Sequence, residues 1–376
     1  MRIDRIQVFV FRAPTPAPVA TSFGTMRDRP AVFVRLTEAG GAHGWGEIFA
    51  NWPAAGAEHR ARLLAEDISA LILGQAFSKP ADLWRDLTRA THIRALQCGE
   101  PGPFAHVLAG IDTAVHDIAA RMAGVSLARL LNPEAAVDVP VYASGIAIAR
   151  ADEETESARA RGITCFKVKI GFDMAGDLTR LAALGAGLAP GERLFTDANQ
   201  AWDPAQAKKF LTGAADLGIG WLEEPVAADR PASDWQTLAA SADIPLAAGE
   251  NISGDADFDA VIAAGALQFV QPDVAKWGGV GGCYGVARRA LKAGLTYCPH
   301  FLGGGIGLAA SAHLLAAAGG GGLLELDVNA NPLRDAFFDG DPAEGGIWRL
   351  SSLPGLGIDA LPEEIAPFQT LALDLS

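Results

Sequence analysis

Cysteine is scarce: Cys98, Cys165, Cys283 and Cys298 are the only four in 376 residues, widely spread and never in a CxxC pair. This spacing argues against a disulfide framework and a thiolate zinc site, and it fits reduced thiols in a cytoplasmic protein. Basic residues are also few, with 30 Lys and Arg against 44 Asp and Glu, a net charge of −14. Such a chain lacks the cationic surplus that displaces counterions from phosphate, so no nucleic-acid partner is expected. An anionic substrate would need a local positive site, either a metal ion or clustered lysines. No apolar run is long enough to span a bilayer, and no secretory h-region follows the opening MRIDRIQVFVFR, so no membrane partner is expected. A GxGxxG turn after the first strand is missing too. The Gly-rich pieces at 278–282, 303–307 and 319–322 precede no Lys-Ser/Thr pair, which makes them tight turns rather than phosphate cradles.

What is present is apolar substance: half the residues are hydrophobic and 20% are charged, enough for a sizeable core. Residues 1–125 read as an α+β unit. Ile6, Val8 and Val10 alternate, as do Val32, Val34 and Leu36, ahead of Gly44-Trp45-Gly46-Glu47. A loop is expected between these strands, from about Pro14 to Pro30, because the segment is polar and rich in proline. Helical spacing follows near 57–73, 80–94 and 105–123.

From about Val137 short apolar strands alternate with Ala-rich helical stretches: VPVYASG, CFKVKIG, RLFTDANQ, GWLEEP, IPLAAGE, FVQPD, LTYCPH and GLLELD. Only short segments are expected at the last connections. Eight strand–helix units point to parallel strands closed into a barrel, with a doubly wound open sheet as the alternative.

Seven polar residues close those strands: Lys169, Asp197, Glu223, Glu250, Asp273, His300 and Glu325, separated by 28, 26, 27, 23, 27 and 25 residues. Each interval is one strand–helix unit, and barrel enzymes build their sites at the C-terminal ends of the strands. Asp197, Glu223 and Glu250 end three successive strands. An oxygen-only trio without Cys or His suits Mg²⁺ rather than zinc. Lys167 and Lys169 lie two apart and share one strand face. Two ammonium groups near a cation oppose each other's protonation, which would tune a lysine toward general-base work. Asp273 and His300 end neighbouring strands, so the carboxylate can fix the imidazole tautomer. His43, His59, His92, His106, His116 and His313 are read as structural. Around an eight-stranded ring Lys169 and His300 face each other across the mouth. A metal-chelated carboxylate substrate would then present its α-carbon between two bases, and its enediolate would be stabilised by the metal. Glu325, if protonated, could hydrogen-bond the opposite carboxylate oxygen.

FKVKIG, DANQ, LEEP, AGE, QPDVAKWGG and PH, with the hairpin ending GWGE and the tail LPGLGID, resemble the enolase superfamily and its mandelate racemase subgroup. The handling of such intermediates by a Lys or His base with Mg²⁺ is known for enolase-superfamily sites. The resemblance implies a modified (β/α)7β TIM barrel over residues 126–335, an N-terminal α+β capping domain over 1–125, and a tail over 336–376 that completes the cap. It implies Asp197, Glu223 and Glu250 as ligands, Lys169 as base and Asp273–His300 as a dyad. Asp273 stands where the muconate-lactonizing subgroup carries a lysine. Lys276 is implied as a support residue near the metal. The capping segments Ser22 to Arg29 and Ala50 to Pro53 are implied to shape the pocket, with Arg27, Trp52 and Asn199 among the substrate contacts. A homo-oligomer is also implied. Acid-sugar (aldonate or aldarate) dehydration is favoured; galactarolactone-like cycloisomerisation and racemisation of a 2-hydroxy acid are the alternatives.

Overall fold

The structure is a computed structural model describing residues 1–21 and 24–376. Strands β1 (Ile3–Thr21), β2 (Gly24–Glu38) and β3 (His43–Ile48) form an antiparallel sheet. Its alternating face buries Ile6, Val8, Val10, Val32, Val34 and Leu36 beneath helices Pro80–Cys98 and Pro101–Met122. Glycine is needed at Gly46, because a Cβ there would strike the Gly110 carbonyl of the second helix. The first helical stretch holds α-helix only over Gly56–Leu63 and then widens into a π-helical turn over Leu64–Ile68.

The expected loop from Pro14 to Pro30 is instead an extension of the β1–β2 hairpin, with pairs Pro14↔Asp28, Val19↔Met26 and Thr21↔Gly24. The last strand, Gln369–Leu375, pairs with β1 only as far as Phe11. Among the described residues, that side of β1 is therefore an edge beyond Phe11. There a proline's missing N–H leaves no ladder bond unmade, so proline does not break the strand.

The eight parallel strands are β4 (Asp138–Ala147), β5 (Cys165–Lys169), β6 (Arg193–Asp197), β7 (Ile219–Glu223), β8 (Leu246–Ala248), β9 (Phe269–Val270), β10 (Thr296–Tyr297) and β11 (Leu324–Asp327). They pair in the order β10-β9-β8-β7-β6-β5-β4-β11, so the first strand lies beside the last and the sheet curls into a barrel. Between β10 and β11 the join is made by Leu323 N–H donating to Cys298 Sγ at 3.4 Å. Tyr142, Phe195 and Trp221 fill the interior below the site, the last two stacked at 3.6 Å. The last connections are not short: Gly279–Lys292 and Gly305–Ala318 are 14-residue helices. The second is buried on nearly every side, so its sequence carries no polar face to reveal a helical period. Past the barrel, β12 (Ile347–Arg349) runs antiparallel to β4, and β13 (Gln369–Leu375) joins the capping sheet.

Three contacts seat the cap on the barrel mouth. The Glu47 carboxylate accepts from Gly304 N at 2.5 Å and Gly307 N at 2.8 Å, at the N-terminus of helix Gly305–Ala318. Arg29 pairs with Asp327 at 2.7 Å, and Asn51 Nδ2 donates to the Leu302 carbonyl at 2.8 Å. No helix among the described residues is long and apolar enough to cross a membrane.

Candidate active site

Parallel pairing in register sets the first part of the site. Lys169 pairs with Asp197, and Asp197 with Glu223, so three strand-end side chains stand abreast. Lys169 Nζ donates to Asp197 Oδ2 at 2.5 Å. Lys167, on the same face but deeper, meets Glu223 at 2.7 and 2.8 Å and Glu325 at 2.8 Å, with no solvent exposure. The chain then turns sharply after each acid. Asn199, Gln200 and Glu224 adopt positive φ of 44°, 63° and 39°, a cost of about 1–3 kcal/mol each that clusters at functional sites.

These contacts revise two expectations. Mutual repulsion does not govern the lysines. Burial lowers both, but for Lys169 the Asp197 carboxylate outweighs it, and for Lys167 the Glu223 and Glu325 carboxylates do, so both are raised. Lys167 is thus a fixed cation, and Lys169 is the lysine that reaches the cavity. Glu325, expected to donate if protonated, is instead drawn toward its carboxylate form. Burial pushes it up, but Lys167 and His300 overcome that and bring it down to about 2, while it accepts from Ser144 Oγ at 2.5 Å and Phe301 N at 2.9 Å.

On the other wall, Asp273 and His300 form a parallel bridge, and Asp273 Oδ2 stands 2.8 Å from His300 Nδ1. Nε2 faces Glu250 at 2.7 Å. Burial disfavours the imidazolium, yet Glu250 and Glu325 overcome it and raise His300 well above its usual value. For Glu250 burial acts upward, and His300 and Lys276 together carry it well below the carboxylate range. Glu223 moves the opposite way: burial raises it to about 7 against the pull of Lys167.

Among the described residues, no three His, Cys, Asp or Glu side chains form a preassembled metal cage. The oxygens of Asp197, Glu223 and Glu250 instead face Lys169, Lys167 and His300. The donor set still fits a hard divalent cation. It offers carboxylate oxygen only, from the ends of three successive strands, with Asp197 and Glu223 buried and Glu250 at the cavity, beside a further buried carboxylate at Glu224.

Lys169 and His300 line one cavity of about 520 Å³ together with Asn199, Gln200, Glu250, Asn251 and Lys276 from the barrel. Its roof is Met26, Phe49, Asn51, Trp52 and Pro53 from the cap. Lys276 reaches Asn251 Oδ1 at 2.8 Å and lies 4.9 Å from the Phe49 ring centre. Trp52, Asn199 and Lys276, expected as substrate contacts, line this cavity. Arg27 does not: it is exposed, because alternation along β2 turns Met26 inward and Arg27 outward. Ser22 lies outside the described residues. Thr15 Oγ1 donates to the Arg27 carbonyl, Asp28 pairs with Arg12, and Arg29 pairs with Asp327, so this polar segment builds the hairpin and its seat.

Asn51, within the Ala50 to Pro53 segment expected to shape the pocket, joins the cavity from the loop after β3. His106, read as structural from the sequence, also lines it, from the cap helix. A single His among apolar helical residues carries no signal of that kind. By contrast, His313 is buried in the core, accepts from Ala128 N at 3.2 Å, and is pushed down to about 4 by burial.

Residues 5–132 match the mandelate racemase / muconate lactonizing enzyme N-terminal domain, and residues 150–364 match the enolase C-terminal domain-like family. A mandelate racemase/muconate lactonizing enzyme from Bordetella bronchiseptica RB50 is 43% identical, with TM-score 0.90 over 96% of this chain and 97% of that one. An L-talarate dehydratase from Polaromonas sp. JS666, solved with Mg and L-glucarate, is 25% identical with TM-score 0.86, covering 100% and 99% of the two chains. A D-galactarolactone cycloisomerase from Agrobacterium fabrum is 27% identical over 98% of this chain and 99% of its own length. The chain belongs to the mandelate racemase/muconate lactonizing enzyme family of the enolase superfamily.

Proposed function

We propose that this enzyme removes the proton beside the carboxylate of an acid sugar, with Mg²⁺, and then expels the β-hydroxyl as water. The observation that carries this reading is the placement of Lys169 and His300 on separate walls of one cavity, with Asp197 held against Lys169 and Glu250 against His300. Asp197, Glu223 and Glu250 would hold the cation, which supplies the positive charge that makes a proton beside a carboxylate removable. Lys169 or His300 takes the proton, depending on which face of the α-carbon carries it. Asp273 holds Nδ1, so Nε2 is the atom that exchanges protons with substrate. After abstraction by Lys169, protonated His300 can hand its Nε2 proton to the departing hydroxyl. Lys167 and Glu325 stay paired beneath and keep the strand ends aligned.

Cycloisomerisation of an aldarolactone is the second reading, supported by the end-to-end match to the galactarolactone cycloisomerase. There the same abstraction is followed by loss of the ring oxygen rather than a hydroxyl. Self-association in solution is proposed on the family resemblance. A screen of acid sugars and lactones in D₂O separates the two reactions: dehydration yields a keto acid from the open-chain acid, cycloisomerisation consumes only the lactone. No α-deuterium and no product from any of them would sink both.

A further inference from the structure

His106 projects from helix Pro101–Met122 into the wall of the cavity. Its Nδ1 accepts from Arg60 Nε at 3.1 Å. Arg60 is itself buried and pinned by the carbonyls of Gly56 and Trp52, both at 3.0 Å. The guanidinium can only donate, so Nδ1 must be bare and the ring proton must sit on Nε2. Burial, with the neighbouring charges of Arg60 and Lys276, drives His106 well below its usual range, which keeps the ring neutral. The Phe49 ring, centred 5.0 Å away, fixes its plane. Among the described residues Nε2 has no protein partner. Across the same wall, Asn51 spends its Nδ2 on the Leu302 carbonyl and keeps Oδ1 as an acceptor.

We propose that His106 is a specificity-determining residue, whose Nε2–H, aimed by Arg60, donates to a substrate oxygen beyond the reacting carbon and its neighbour. Paired with the Asn51 acceptor it suits a hydroxyl, which both donates and accepts. A polyhydroxylated acid therefore fits this wall better than an aromatic one. The inference rests on the acid-sugar reading and deepens it.

The test compares wild type, His106→Phe and His106→Gln, each with Mg²⁺. The substrates are D-glycerate, which has nothing beyond C3, and whichever six-carbon aldarate, aldonate or lactone wild type labels fastest in D₂O. For His106→Phe, kcat/KM on the six-carbon acid should fall about tenfold or more relative to D-glycerate, the scale of one lost hydrogen bond. His106→Gln, which keeps an N–H, should recover part of it. Equal losses on both substrates, or no difference between Phe and Gln, would overturn the proposal. ¹⁵N-histidine spectra of the wild type give a reading that does not depend on turnover. His106 should show a protonated Nε2 that shifts when the six-carbon acids are added; an Nε2 that none of them moves overturns it as well. Wild type that labels no acid at all would instead fail the proton-abstraction reading, leaving the spectra to decide on His106.

Discussion

Asp273 Oδ2 stands 2.8 Å from His300 Nδ1, in a parallel bridge just beyond the paired residues of β9 and β10. The carboxylate therefore selects the tautomer that offers Nε2 to the cavity. Replacing it with Asn leaves the shape and loses the selection. We expect Asp273→Asn and His300→Asn each to lower α-proton exchange on the face served by His300 by about 10²- to 10⁴-fold, the range of general acid–base catalysis. Exchange measured by NMR in D₂O checks this, and unchanged rates would remove His300 from the mechanism.

Lys167 and Lys169 should separate in their effects. Lys169→Met removes a cavity-lining amine and is expected to lower exchange on its face by about 10²- to 10⁴-fold, with a smaller loss of stability than Lys167→Met, because Asp197 keeps the Asn199 N–H at 2.8 Å and Lys167 at 3.7 Å. Lys167→Met strands the Glu223 and Glu325 carboxylates and should cost about 3–5 kcal/mol, as for a broken buried ion pair. Urea unfolding beside the exchange assay tells them apart.

Chelation should abolish turnover, and Mg²⁺ should restore it. Calorimetric titration with Mg²⁺ should show weakened binding for Asp197→Asn and Glu250→Gln, while His106→Gln binds as wild type does. Full activity in excess chelator would contradict the metal role.

Glu47 makes stability depend on pH. Burial raises its carboxyl from 4.5 to about 7, so the folded state holds a proton that the unfolded chain releases above about 4.5. The stabilisation is full below 4.5 and is lost as pH rises through 7. A shift of that size corresponds to at most about 3 kcal/mol. Glu47→Gln should flatten the difference in unfolding free energy between pH 4.5 and 8, and identical slopes for the two proteins would refute the assignment.

The strand-end residues were legible in the sequence because a strand–helix unit repeats at nearly constant length, and parallel pairing turns that period into adjacency. The hairpin arm was not. Pro14, Pro16 and Pro18 look like loop until it is known that β1 loses its outer neighbour after Phe11. The helix Gly305–Ala318 was equally hidden, since complete burial erases the polar face that marks a surface helix.

Alternation and period thus pointed to parallel strands, placed Asp197, Glu223 and Glu250 at the ends of successive ones, and anticipated the pairing of Asp273 with His300. The protonation roles were decided only by tertiary structure, because they depend on which charges burial brings together. Lys167 reads like Lys169 in a strand, yet it alone is enclosed between Glu223 and Glu325. His106 reads like any core histidine until the cap, seated through Glu47 and Arg29, carries it to the barrel mouth beside Lys276 and Phe49.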